Sequence, residues 1–132
     1  NPVLWMLIFI LAVVVVNRFA LKEQVKEHLL KRDIEVIDLG TNSEDSVDYP
    51  AYGVLCGETV VSGKADCGIL VCGTDIGISI AANKVKGVRC ALVHNKDAAQ
   101  LTREHNDTNC LALSAKYTET SMFSCFSKKS LA

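Results

Sequence analysis

The sequence has no excess of charge of either sign and few aromatic side chains. Its 132 residues carry a formal net charge of -1, and Phe, Trp and Tyr together make up 6% of them. A nucleic-acid-binding surface needs a basic patch, usually with aromatic side chains for stacking, so we expect no nucleic-acid partner. The hydrophobic fraction of 49% is enough for the core of a single globular domain, which we place over 1–132.

Several motifs that hold metals or cofactors are also missing. The six cysteines include no pair separated by two residues, which is the common spacing in zinc sites. Several lie in apolar stretches, which favours reduced thiols in a cytoplasmic protein over a disulfide framework. The loop after Cys72 lacks the third glycine of the dinucleotide fingerprint and the Gly-Lys-Ser or Gly-Lys-Thr of a phosphate loop. The cysteine spacing and this loop therefore match none of these three kinds of site.

The amino-terminal segment contains one long apolar run. No charged residue occurs over 3–16, and Arg18 follows almost at once. The run is short for a membrane span, which needs about 20 residues, and it lacks the basic region and the cleavage site of a signal peptide. Its β-branched residues favour a buried first strand within 1–19. A signal-peptide core and an anchor stay open as alternatives, although we do not expect a membrane partner.

Beyond that run, apolar and amphipathic segments alternate along the chain. Leu21, Val25 and Leu29 recur at four-residue spacing, which is typical of an amphipathic helix. Similar patterns predict helices over 20–32, 51–62, 76–84 and 97–104 and strands over 34–39, 67–72, 88–93 and 110–113. With the apolar run as a first strand, this predicts an α/β fold in which helices cover both faces of a five-stranded parallel sheet. The Ser- and Thr-rich segment 118–132 is expected to be a frayed tail or a final helix.

Cys72 ends an apolar predicted strand and precedes a loop that contains Gly73 and Gly77. In an open α/β sheet, ligands bind at the carboxyl ends of the strands, and the N–H groups of a following helix can hold an anion. A thiolate in that position can remove a proton from a carbon beside a carbonyl. His105 lies between the last predicted helix and the last strand. We expect it to reach the same edge of the sheet as Cys72, where it can shuttle protons.

Each of these residues also has an ordinary structural interpretation. A cysteine that ends a strand is usually a small buried hydrophobic residue, and a histidine after a helix is commonly a cap or a loop residue. His94 ends a predicted strand near the same edge and could support the site from behind. Asp48 could form a turn or belong to the site. Spacing alone leaves these alternatives open.

Four segments together resemble one enzyme family. They are Asp48-Tyr49-Pro50, the stretch 68–84, the motif Arg103-Glu104-His105-Asn106-Asp107-Thr108-Asn109, and Leu111-Ala112-Leu113. In this order and at this separation they resemble the type B ribose-5-phosphate isomerases, a family that includes galactose-6-phosphate isomerase subunits. The resemblance covers about 20–116.

This resemblance implies a Rossmann-like, three-layer α/β/α fold and a homodimer or homotetramer with active sites between subunits. It also implies metal-free interconversion of two small-molecule sugar phosphates, ribose 5-phosphate and ribulose 5-phosphate, in the pentose phosphate pathway. No redox cofactor is needed for that reaction.

The resemblance further implies roles for individual residues. Cys72 resembles the base that abstracts the proton, and His105 resembles the residue that opens the sugar ring, with Thr74 as its helper. Asn106 resembles a substrate-binding amide, and Lys116 stands where a substrate-binding arginine is usual. The amide loop that holds the enediolate oxygen corresponds to Gly73, Thr74, Asp75, Ile76 and Gly77.

Three departures from the family pattern bear on activity. Val15 and Val16 stand where the family has an Asp-His pair, and Asp75 stands where it favours glycine. Segment 118–132 has no counterpart of the helix whose arginines grip the substrate phosphate. Asp75 is expected to strain the backbone and to repel an oxyanion. The sequence thus leaves two hypotheses, a sugar-phosphate isomerase and a non-catalytic dimeric relative or truncated product that keeps the fold.

Overall fold

The computed structural model describes residues 9–15, 19–41 and 48–114. In chain order its elements are β1 (Phe9–Val15), α1 (Phe19–Leu30), β2 (Ile34–Asp38), α2 (Tyr49–Val61), β3 (Cys67–Cys72), α3 (Ile76–Asn83), β4 (Cys90–Leu92), α4 (Lys96–Asn106) and β5 (Cys110–Ser114). The helices and strands predicted over 20–113 are all present, and their ends differ from the predicted ones by at most two residues. Val16, Lys116 and the predicted tail 118–132 lie outside the described residues.

The strands form one parallel sheet in the order β2-β1-β3-β5-β4. β1 lies inside this sheet, between β2 and β3, and its Ala12 is fully buried. A strand covered on both faces needs a continuous apolar sequence, which accounts for the run that contains β1. Among the described residues, no helix is long and apolar enough to cross a membrane.

Two apolar cores lie on opposite faces of the sheet, because successive side chains of a strand point in opposite directions. On β3, Ile69 and Val71 belong to the core shared with α1 and α4, whereas Leu70 and Cys72 belong to the core shared with α2 and α3. The result is the three-layer α/β/α architecture that the resemblance implies.

The register defines two ends of the sheet, which we call the carboxyl edge and the amino edge. Cys72 of β3 lies beside Ser114 of β5 at the carboxyl edge, where the strands end. Gly68 lies beside Cys110 at the amino edge, where the same two strands begin.

β4 is shorter than predicted because it is an edge strand with one neighbour. Val88 belongs to the turn after α3, where its N–H donates to the C=O of Val85 at 3.0 Å. The side chain of Asn83 takes the place of a second strand, since its amide donates to the C=O of Cys90 at 3.0 Å and accepts from the Cys90 N–H at 2.9 Å. The Asn83 side chain, at the end of α3, therefore makes the hydrogen bonds to Cys90 that a further strand would otherwise make.

Candidate active site

Cys72 lies at the carboxyl edge, where the sequence places it. It is 7% exposed and ends a strand whose residues are all buried. The hydroxyl of Ser114 donates to the C=O of Gly73 at 2.9 Å, which ties the first residue of the loop to the neighbouring strand. We did not single out Ser114 from the sequence. Its signal is a polar residue at the end of an otherwise apolar strand.

The loop after Cys72 enters α3 through a residue in the left-handed conformation. Asp75 has φ 60°, and its C=O accepts the first backbone hydrogen bond of the helix, from the Ser79 N–H at 3.2 Å. The N–H groups before Ser79 belong to the first turn, where a helix offers no partner of its own. Such groups can hold an anion. Gly73, Thr74 and Ile76 are exposed, so solvent reaches this part of the loop.

Gly77 lies against the aromatic ring of Tyr49. A Cβ atom built on Gly77 would lie 2.5 Å from the Tyr49 hydroxyl oxygen, a distance that no side chain can occupy without moving the ring. Tyr49 opens α2 and is followed by Pro50, a residue suited to the first turn of a helix. Tyr49 therefore packs directly on the loop, a contact that spacing alone could not predict.

Asp75 is the one residue of the loop with a buried charged side chain. It is 1% exposed, and its Oδ2 atom lies 3.1 Å from the Nε2 atom of His94, which follows β4. Burial raises the pKa of Asp75, and the charge and hydrogen bond of His94 oppose that rise. His94 therefore contacts the loop through Asp75, which adopts a left-handed backbone at the position where the family favours glycine.

His105 does not share this edge, so the prediction that it reaches the same edge of the sheet as Cys72 is wrong. α4 starts after β4 at the carboxyl edge and returns the chain to the start of β5. Its last turn, with His105 and Asn106, therefore lies at the amino edge. The two ends of β5, Cys110 and Ser114, are separated by about 13 Å at 3.3 Å per residue. A crossover helix runs antiparallel to the strands that it connects, which is why a residue just before a strand lies far from the end of its neighbour.

The turn that carries His105 and Asn106 is held by a set of hydrogen bonds that we call the amino-edge frame, formed by Arg89, Asn106 and Asn109. The Arg89 guanidinium donates to the C=O of Asn106 through Nε at 2.9 Å and Nη2 at 2.7 Å. The Asn109 side chain accepts from the Arg89 N–H at 2.8 Å and donates to the C=O of Gly87 at 3.0 Å. His105 and Asn106 are exposed on this frame. Sequence reasoning missed Arg89.

A buried cation lies near the start of α1. The side chain of Lys22 is fully buried, and its Nζ atom donates to the C=O of Thr41 at 2.6 Å and lies 3.2 Å from Asp38 Oδ2. Burial alone raises the pKa of Asp38, but hydrogen bonds from Lys22, the Gly40 N–H and Lys26 outweigh it, so that the pKa lies below its usual value. These contacts fasten α1 to the carboxyl end of β2.

The other described cysteines are free thiols in the core or at its margin. The pKa of Cys56 is raised by its hydrogen bond with Cys110 and by burial. Burial also raises the pKa of Cys67, to about 11, and that of Cys90. Thiols with a raised pKa stay protonated at neutral pH and are poor bases. Cys72 differs from them in position, because it directly precedes the amide loop.

The site can now be compared with known proteins. A family model described as Ribose/Galactose Isomerase matches residues 16–129. The chain belongs to this family. The matched residues include both the loop at the carboxyl edge and the amino-edge frame.

Curated relatives in the family are close in sequence. The chain is 54% identical to a putative sugar phosphate isomerase, YwlF, of Bacillus subtilis over 94 residues, which are 70% of this chain and 63% of the relative. It is 48% identical to ribose-5-phosphate isomerase B of Escherichia coli over 98 residues, which are 74% of this chain and 66% of the relative. The chain thus spans just under two thirds of the length of these relatives.

A solved structure confirms the fold of this family member. The ribose-5-phosphate isomerase B of Mycoplasma genitalium, crystallised with bound ribulose-5-phosphate, superposes with a TM-score of 0.82 and 36% identity. The superposition covers 92% of this chain and 84% of that one. The Rossmann-like architecture inferred from the resemblance is therefore that of the family.

Proposed function

We propose that the chain is an aldose-ketose isomerase that interconverts ribose 5-phosphate and ribulose 5-phosphate in the cytoplasm. The observation that carries the proposal is the position of Cys72 at the end of buried strand β3, directly before the exposed amide loop 73–77. The names of the relatives support the substrate class, since one is a ribose-5-phosphate isomerase B and another holds ribulose-5-phosphate.

The chemistry is a proton transfer between neighbouring carbons. The Cys72 thiolate takes the proton from C2 of the open-chain aldose, and the electron pair of that C–H bond forms the C1=C2 bond of an enediolate. The negative charge moves to the C1 oxygen, where the N–H groups of the loop 73–77 stabilise it. Return of the proton to C1, with a hydroxyl proton moving from O2 to O1, gives the ketose. The step is balanced without an oxidant, a reductant or a cofactor.

Ring opening is assigned to His105, assisted by Thr74, with Asn106 and Lys116 as substrate-binding residues. Thr74 lies in the exposed loop of the carboxyl edge, whereas His105 and Asn106 lie at the amino edge of the same chain. One chain therefore cannot assemble the proposed site. A second copy that places its amino-edge frame over this loop would complete it, so we include a homodimer in the proposal.

The first experiment measures conversion of ribose 5-phosphate to ribulose 5-phosphate by purified wild type, Cys72→Ala and Cys67→Ala. The two cysteines occupy opposite ends of β3 and are both buried, so Cys67→Ala is a matched control for the loss of a thiol. Removal of a general base lowers turnover by about 10²–10⁴-fold. We expect that loss in Cys72→Ala and wild-type chemistry in Cys67→Ala.

Equal turnover of Cys72→Ala and wild type would exclude Cys72 as the base. A folded wild-type protein with no turnover would overturn the proposed reaction and favour a non-catalytic member of the family.

A further inference from the structure

Asp75 places a carboxylate inside a loop whose proposed task is to hold an anion. The side chain is 1% exposed, and the residue is the N-cap of α3 without a side-chain hydrogen bond to its own helix. Its φ of 60° lies in the left-handed region, which aspartate tolerates better than most residues other than glycine and asparagine. An uncompensated charge here would oppose the charge that develops on an enediolate oxygen.

His94 supplies the compensation. Its Nε2 atom lies 3.1 Å from Asp75 Oδ2, within hydrogen-bond distance. The histidine follows the edge strand β4, whereas Asp75 follows the central strand β3, so the contact spans the carboxyl end of β5 between them. The His94 side chain is 61% exposed. A proton on the imidazole can therefore exchange with solvent while the carboxylate stays buried.

We propose that His94 is a positioning residue of the amide loop, which cancels the charge of Asp75 and holds the left-handed turn so that the loop accepts an anion. This role rests on the proposed function, because it explains how the loop stabilises an enediolate although an aspartate has replaced the usual glycine. The imidazole acts through Asp75 and the backbone. It is not assigned any contact with the substrate.

Charge cancellation can be measured without turnover, by alkylation of Cys72. Iodoacetate is anionic and iodoacetamide is neutral, and both react with the same thiolate. The fraction of Cys72 that is ionised affects both rates equally and so does not affect their ratio. The ratio of the two rates therefore reports the electrostatic potential at the loop. We would measure this ratio at the same pH for every variant, by mass spectrometry of the peptide that contains Cys72.

Four variants isolate the pair. His94→Gln keeps an N–H donor but removes the charge, Asp75→Gly removes the carboxylate and suits the left-handed backbone, and the third variant combines both changes. His28→Gln is the matched control, because His28 lies near the end of α1, away from the loop. We expect His94→Gln to lower the iodoacetate-to-iodoacetamide ratio by about fivefold. The double variant carries neither charge, so its ratio should return to near the wild-type value, and His28→Gln should match wild type.

Turnover provides the second readout. The value of kcat/KM should fall in His94→Gln and recover when Asp75→Gly is added, which is the non-additivity expected of two residues in contact. A purely structural role would lower the melting temperature of His94→Gln without this recovery.

The outcomes separate the two proposals. A ratio that is the same in His94→Gln and wild type would overturn the role of His94, even in an active isomerase. A wild-type Cys72 that neither reagent labels would overturn it as well, since no small anion then enters the loop. The expected change in ratio without any isomerisation would support the pairing and contradict the proposed reaction.

Discussion

The two ends of the sheet are built differently. At the carboxyl edge, the loop 73–77 depends on backbone groups, on the hydroxyl of Ser114 and on the buried pair of Asp75 and His94. At the amino edge, the turn with His105 is fastened by an arginine and an asparagine that bind backbone groups on both sides. The first arrangement leaves N–H groups available to an anion, and the second presents exposed side chains on a rigid support.

Under the proposed function, this difference divides the work between two chains. The carboxyl edge has the features needed for proton transfer and anion binding, whereas the amino edge has those needed to offer a side chain to another molecule. If the proposed site is shared, each chain contributes one edge to it.

Mixed dimers should recover activity from two inactive variants. Cys72→Ala loses the proposed base and His105→Asn loses the ring-opening residue, but a dimer with one chain of each kind has one intact shared site. After the chains are exchanged, about a quarter of wild-type turnover should return, because half of randomly formed dimers are mixed and each has one working site of two. The measurement is isomerase activity before and after exchange.

The control is an exchange between Cys72→Ala and the double variant Cys72→Ala/His105→Asn, which should stay inactive. If the first mixture also stays inactive although mass spectrometry detects mixed dimers, the two edges do not share a site.

Loss of the Arg89 guanidinium should loosen the amino-edge frame. Arg89→Ala removes both hydrogen bonds to the C=O of Asn106, and we expect the free energy of unfolding to fall by about 1–2 kcal/mol. Turnover should also fall, because His105 and Asn106 lose their support. Arg89→Lys should recover only part of both, since an ammonium group cannot make the two-point contact. Urea unfolding and kcat measure the two effects.

Arg32 offers a matched comparison for this prediction. It follows α1 and donates to the C=O of His28 at 3.2 Å, next to β2, which is the edge strand at the opposite end of the strand order from β4. Arg32→Ala should lower stability slightly and leave kcat unchanged. An equal loss of kcat in Arg32→Ala and Arg89→Ala would show that the amino-edge frame has no special role in turnover.

Acid should lower the free energy of unfolding by about 1 kcal/mol, because protonation of Asp38 weakens its contacts at the carboxyl edge. The pKa of Asp38 is lower in the folded chain than its usual value, so its stabilising contribution is present above the unfolded pKa of about 3.9 and is lost as pH falls through the folded pKa. The difference in unfolding free energy between wild type and Asp38→Asn should therefore be largest near neutral pH and shrink below about pH 4.

Urea unfolding from neutral to acidic pH tests this, with Glu35→Gln in the same strand as a control for the loss of a charge. A difference that does not change with pH would mean that the contacts with Lys22 and Lys26 do not depend on ionised Asp38.

Much of the fold was predictable because its signals are local. The four-residue spacing in α1, the continuous apolar sequence of β3 and the glycines after Cys72 each reflect contacts within a short segment or burial of a whole strand. The position of Cys72 at the carboxyl edge was predictable for the same reason, since the end of an apolar strand is visible in the sequence.

The residues that the sequence misplaced or missed depend on the path of the chain. His105 was expected beside Cys72, but α4 returns it to the opposite end of the sheet. The pairing of Asp75 with His94 joins residues after two strands that are not neighbours. The support of Asn106 by Arg89 joins the last residue of α4 to the residue before β4. None of these contacts produces a pattern that can be recognised in the sequence.

By itself, the sequence determined the alternation of helices and strands, the burial of β3 and the thiol that precedes a loop of amide groups, because hydrophobic periodicity and glycine positions act over a few residues. The edge that each candidate residue occupies and the charges that meet become visible only in the folded chain. Those features depend on the order of strands in the sheet and on the direction of each crossover helix, which bring together residues far apart in the chain.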